Sequence, residues 1–92
     1  MVEESYRFDD AAYDALGQAG VDWQSVTDVL YARRRVRQHL GAVLRIAAAD
    51  RRGTWITVTL IEDGDDDYLV VSARVLDPDE AAMLSSLMGG PK

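Results

Sequence analysis

Seven arginines and one histidine give this chain its most concentrated chemistry. Arg33, Arg34, Arg35, Arg37, Arg45, Arg51 and Arg52 lie within residues 33–52 against the single carboxylate Asp50, a local balance of +6 in a chain whose net charge is −6. The remaining residues hold three positive and fifteen negative charges, so a basic centre sits in an acidic frame. A guanidinium forks onto phosphate through several fixed donors and stays charged at any relevant pH. Imidazole is the side-chain type that titrates near neutrality, which makes His39 the natural proton shuttle. RNA cleavage needs the 2′-hydroxyl deprotonated, the leaving oxygen protonated and the phosphate's developing charge neutralised. His39, Arg37 and Arg74 form the candidate catalytic set for that reaction. Arg35, Arg45, Trp55 and Tyr68 form the candidate RNA-binding set, since aromatic faces stack bases at about 1–3 kcal/mol each.

Four strands are expected to position these groups. In 34–40 Val36 and Leu40 alternate with Arg35, Arg37 and His39, and in 43–48 Leu44, Ile46 and Ala48 alternate with Val43, Arg45 and Ala47. In 54–62 Ile56, Val58 and Leu60 alternate with Trp55, Thr57 and Thr59, and in 68–75 Leu69, Val71, Ala73 and Val75 alternate with Tyr68, Val70, Ser72 and Arg74. Period-two alternation rich in β-branched residues is the mark of half-buried strands. Gly41, the Arg51-Arg52-Gly53 run and the acidic run Glu62 to Asp67 supply the turns. Short connections imply antiparallel neighbours. The apolar alternates are expected to face helices. The other face stays open and carries Arg35, Arg37, His39, Arg45, Trp55, Thr57, Thr59, Tyr68, Ser72 and Arg74.

Two helices precede the strands. Asp9-Asp10 opens the first, Ala12, Leu16 and Ala19 give its apolar spacing, and Gly20 closes it. Asp22 caps the second, whose apolar stripe runs through Trp23, Val26, Val29 and Leu30, with Trp23 expected in the core and Arg33 continuing the helix. A third helix opens at Asp77-Pro78-Asp79-Glu80, a capping box with proline at the first helical position. Met83, Leu84, Leu87 and Met88 follow, and Gly89-Gly90-Pro91 ends it. The expected fold is one α+β domain over residues 1–92: two N-terminal helices, a four-stranded antiparallel sheet meander and a C-terminal helix.

Several function classes drop out. With no cysteine, disulfides, thiolate metal sites and cysteine nucleophiles are excluded. No Gly-rich phosphate loop and no histidine pair at metal spacing is present, and Asp63 to Asp67 lacks the length and distal glutamate of a calcium loop. No metal and no cofactor is therefore expected. No apolar run approaches the ~20 residues of a membrane helix, and the acidic start Met-Val-Glu-Glu-Ser lacks a signal-peptide pattern. A cytoplasmic location away from membranes is expected.

Three stretches carry a resemblance to a known family. Phe8-Asp9-Asp10 through Gly20-Val21-Asp22-Trp23, Leu44-Arg45-Ile46 through Asp50-Arg51-Arg52-Gly53, and Val71-Ser72-Ala73-Arg74 with Pro78-Asp79-Glu80 resemble the BrnT toxins, relatives of the RelE-like ribonucleases of bacterial toxin–antitoxin pairs. The likeness spans residues 6 to 86. It departs from the family where Gln18-Ala19-Gly20 replaces a Lys-His-Gly, where Ala42 and Ala47 stand near an expected arginine, and in being acidic overall. The resemblance implies a toxin-like, metal-independent endoribonuclease or translation inhibitor, with RNA as target and a small ribbon-helix-helix antitoxin as partner. The composition keeps a second reading open: a non-catalytic interaction module, a degenerate relative that docks a partner or a second copy through the basic face, as in a homodimer.

Overall fold

The computed structural model describes the backbone of residues 5–89 and the side chains of residues 5–86. It is an α+β arrangement of three helices and a five-stranded mixed sheet. The order is β1 (Ser5–Arg7), α1 (Asp10–Ala19), α2 (Trp23–Leu30), β2 (Val36–Leu40), β3 (Val43–Ala49), β4 (Trp55–Glu62), β5 (Asp67–Val75) and α3 (Pro78–Gly89). The strands lie side by side as β1-β5-β4-β3-β2. The antiparallel meander of β2 to β5 is as expected, whereas β1 is an added strand, parallel to β5. Three residues are too few to show a period of two, so nothing in the sequence marks β1.

The helix ends follow their capping residues. Asp9 accepts the Ala12 N–H at 2.8 Å, Asp22 accepts the Ser25 N–H at 2.8 Å, and Gly20 closes α1 at φ 73°, a conformation cheap only for glycine. At α3 the box is reciprocal: Asp77 accepts the Glu80 N–H at 2.8 Å and Glu80 accepts the Asp77 N–H at 3.2 Å. Helix α2 ends at Leu30, so Arg33 lies beyond it. The expected stop at Gly90-Pro91 and the side chains of Leu87 and Met88 lie outside the described residues.

Helices α1 and α2 pack on one sheet face, α1 against β5 and α2 against β3 and β4. Ala12, Leu16, Val26, Val29 and Leu30 meet Leu44, Ile46, Ala48, Ile56, Val58 and Leu60 there, all essentially without solvent exposure. The central strands thus have the expected register. Helix α3 lies on the opposite side, where Glu80 and Leu84 border the open face, so the expectation that all helices cover one face is corrected.

Three further expectations are corrected. Trp23 is 53% exposed. It stands at the first position of α2, and an apolar stripe shows which helix face turns inward without showing how far along the helix the sheet reaches. In β2 the faces are reversed: Val36 pairs with Ala47 and Leu40 with Val43 on the open face, while Arg37 pairs with Ile46 and His39 with Leu44 on the helix side. Strand β2 is an edge beyond the helices, so no burial contrast fixes its faces and its alternation points the wrong way. In β5 the pairing steps from Thr59↔Ser72 to Leu60↔Val70, which leaves Val71 as a bulge. That extra residue flips the parity of the strand's first half. Tyr68 and Val70 become core, Leu69 joins the open face and Val71 is exposed.

Candidate functional site

The open face is built in rows, because paired residues on neighbouring strands stand side by side. One row runs Gln38–Arg45–Thr59–Ser72 and the next Val36–Ala47–Thr57–Arg74. Trp55, paired with Ala49, follows on the same face. A groove of about 390 Å³ lies over these rows, bordered by Glu80 and Leu84 of α3. Its polar groups are an amide, three hydroxyls, two guanidiniums and the Glu80 carboxylate, so once Glu80 is set against Arg74 one positive charge, that of Arg45, is left to meet an anionic oxygen.

Of the expected site residues, Arg45, Arg74 and Trp55 share this face. Arg45 is exposed and holds no ion pair among the described residues. Arg74 is engaged: its Nη1 lies 2.9 Å from Glu80 Oε1 and its Nη2 2.8 Å from Oε2. The Arg74 guanidinium, with the Asp77 N–H, pulls the Glu80 carboxyl down to about 2, and Glu80 in turn raises Arg74.

The others do not join them. Arg37 and His39 project from the helix side of β2, so the sheet itself separates His39 from Arg45 and Arg74. Arg35 precedes the strand, half-buried, and its Nη1 donates to the Leu30 carbonyl at 2.6 Å, which ties the 31–35 segment to the end of α2. Tyr68 is only 6% exposed and packs near Tyr6, with ring centroids 6.2 Å apart. It offers no face to a base.

Two further arginines of the basic segment, Arg51 and Arg52, brace the fold. Arg51 pairs with Asp28 through Nε at 2.9 Å and Nη2 at 3.1 Å, and Arg52 reaches Asp22 at 3.1 Å. Between them sits buried Asp50, which accepts the Ser25 hydroxyl and the N–H groups of Arg52 and Thr54, all at 2.9 Å. Burial pushes the Asp50 carboxyl up, but these hydrogen bonds outweigh it and leave it below the ordinary value. Asp28 is lowered by the Arg51 side chain, and Asp22 by the Ser25 N–H. The +6 segment therefore contributes less free charge than its sequence suggests. Sequence reasoning missed Asp50 as the organiser of this turn, although an aspartate two and four residues ahead of the N–H groups it accepts is an Asx-turn signal.

Among the described residues no cluster of three metal-ligating side chains occurs, and no helix is long and apolar enough to cross a membrane. The chain matches no protein-family model and no curated protein.

Proposed function

We propose that this chain is a toxin-like translation inhibitor of a bacterial toxin–antitoxin pair that holds the RNA backbone in the groove on its open sheet face. The observation that carries this reading is the row Gln38–Arg45–Thr59–Ser72, which lines up the Arg45 guanidinium, without an ion pair among the described residues, with hydrogen-bonding side chains across four strands. Arg45 is the primary phosphate contact, Trp55 the stacking surface, and Arg74 a second cation that RNA must draw away from Glu80. The groove supplies charge neutralisation. The one histidine lies across the sheet, and Glu80, held near 2, remains a carboxylate paired to Arg74. The reading is thus inhibition by binding, with cleavage through His39 set aside.

Expression in a bacterium tests it, with growth, protein synthesis and bulk RNA followed together. Arrested growth with intact RNA, relieved by Arg45→Glu, is the expected result. Arrest with fragmented RNA would restore the endoribonuclease reading, and harmless expression of a protein that binds no RNA would end both.

One observation favours the interaction module as a second reading. Leu40, Val43, Ile61 and Leu69 form a lateral apolar row at the far end of the same open face, with Leu40 49% and Ile61 40% exposed. A monomer with no RNA affinity whose association with a protein or a second copy is broken by Ile61→Lys would match that reading.

A further inference from the structure

Strand β2 ends the sheet, so the backbone N–H and C=O groups of alternate residues along it point away from β3 with no strand beside them among the described residues. Its two faces differ chemically. Val36 and Leu40 flank Gln38 on the open face, while Arg37 and His39 stand on the other. Exposed Arg33 and Arg34 extend the positive charge along the approach, and the Arg35–Leu30 hydrogen bond holds that approach in place.

From this edge we infer that β2 is a strand-addition site for an extended protein segment in which acidic and apolar residues alternate. An added strand gains main-chain hydrogen bonds from the edge, and its side chains fall alternately on the two faces. Residues beside Arg37 and His39 are then acidic, and those beside Val36 and Leu40 apolar. The opposite alternation sets acidic groups beside the apolar Val36 and Leu40, and a basic segment in place of the acidic one sets like charges side by side at Arg37, which destabilises a pair of strands.

Charge also chooses between occupants. A second copy pairing antiparallel about Gln38 offers these arginines no carboxylate, since Arg37 of one copy stands opposite His39 of the other and Arg34 opposite Ala42. The chain's own acidic run cannot serve, because it is closed in the β4–β5 turn, where the Asp63 N–H donates to the Asp67 carbonyl at 2.8 Å. The occupant is therefore an acidic segment of another protein. The groove is bordered by the open-face side chains of Val36 and Gln38, whereas an added strand pairs with the outward backbone groups of β2, so this inference does not rest on the RNA reading.

The test uses the full chain, labelled with ¹⁵N, and fluorescent peptides alternating valine with glutamate, lysine or serine. The valine–glutamate peptide should bind saturably and slow hydrogen exchange at the β2 amides. The valine–lysine peptide should bind roughly tenfold or more weakly, and Arg37→Glu with His39→Glu should invert that order. Should this pair of changes unfold the strand, Arg33→Glu with Arg34→Glu alters only exposed residues outside it and should shift the ranking the same way. Equal binding of all three peptides, no binding, amide changes confined to Arg45, Thr59 and Ser72, or displacement of the peptide from β2 by an RNA oligonucleotide would each overturn the proposal.

Discussion

Glu80 holds Arg74 in a two-pronged pair at 2.9 and 2.8 Å while the same carboxylate accepts the Asp77 N–H at 3.2 Å. One side chain thus starts α3 and fixes a cation of the open face. The pair anchors the first turn of α3 to β5, the strand beneath it, and sets the border of the groove. Any anion entering there competes with Glu80 for Arg74.

That competition gives the first prediction. Glu80→Gln keeps the side-chain length and the ability to cap Asp77, but removes the charge that occupies Arg74. RNA affinity should rise, and the slope of log affinity against log salt should steepen by about one unit, the signature of one more phosphate contact. Binding titrations over a series of salt concentrations measure this. An unchanged slope would show that Arg74 does not reach RNA.

Acid should weaken the fold through its paired carboxylates. Glu80 is lowered from 4.5 to about 2, and Asp22, Asp28 and Asp50 are lowered from 3.8. A carboxyl depressed in the folded state contributes stability above its unfolded value, and this is lost as pH falls through the folded one. The urea midpoint should therefore hold steady down to a pH near 4.5 and fall from there toward 2. In Glu80→Gln the fall should be shallower, because one of the depressed groups no longer titrates.

The buried clamp at the β3–β4 turn should be the most sensitive polar position. Asp50→Ala leaves the buried Ser25 hydroxyl and the partly buried Arg52 and Thr54 N–H groups without their acceptor, and a fully buried group left unsatisfied costs about 1–3 kcal/mol, a partly buried one less. A loss of roughly 3 kcal/mol is expected by denaturant unfolding, comparable to emptying the core with Ile46→Ala. Arg33→Ala, with no ion pair among the described residues, should change stability by under about 0.5 kcal/mol. An Asp50→Ala protein as stable as the parent would mean that water replaces the carboxylate.

How much of this could be read from the residues depends on where burial contrast exists. The caps at Asp9, Gly20, Asp22 and the Asp77–Glu80 box were legible because each satisfies a local hydrogen-bonding or conformational need written in a few adjacent residues. The faces of β3 and β4 were legible because helices cover one side, so Leu44, Ile46, Ile56, Val58 and Leu60 had to alternate. At β2 that pressure is absent, and Val36 and Leu40 suggest a face they do not take. At β5 one bulged residue, Val71, reverses the parity that had placed Tyr68 outward. Of the residues expected on the open face, Arg45, Trp55 and Arg74 lie there, Arg37, His39 and Tyr68 leave it through those two breaks in register, and Arg35 precedes β2.

The separation of His39 from Arg45 gives the last prediction. The two residues are on neighbouring strands, but His39 is paired with Leu44 and faces the helix side, whereas Arg45 is paired with Gln38 and Thr59 and faces the groove. A proton shuttle must come within hydrogen-bond reach of the oxygen it serves, directly or through one water. A phosphate held by Arg45 has the sheet between it and the His39 ring. His39→Ala should thus leave RNA affinity and growth arrest unchanged, while Arg45→Ala, which removes a charge-assisted phosphate contact, should weaken binding about tenfold. The same His39→Ala change should weaken binding of the valine–glutamate peptide at the β2 edge, where its ring stands beside an acidic side chain. The two variants therefore report on opposite faces of one sheet. Loss of growth arrest in a folded His39→Ala protein would return the histidine to the RNA site and show that RNA reaches around the β2 edge.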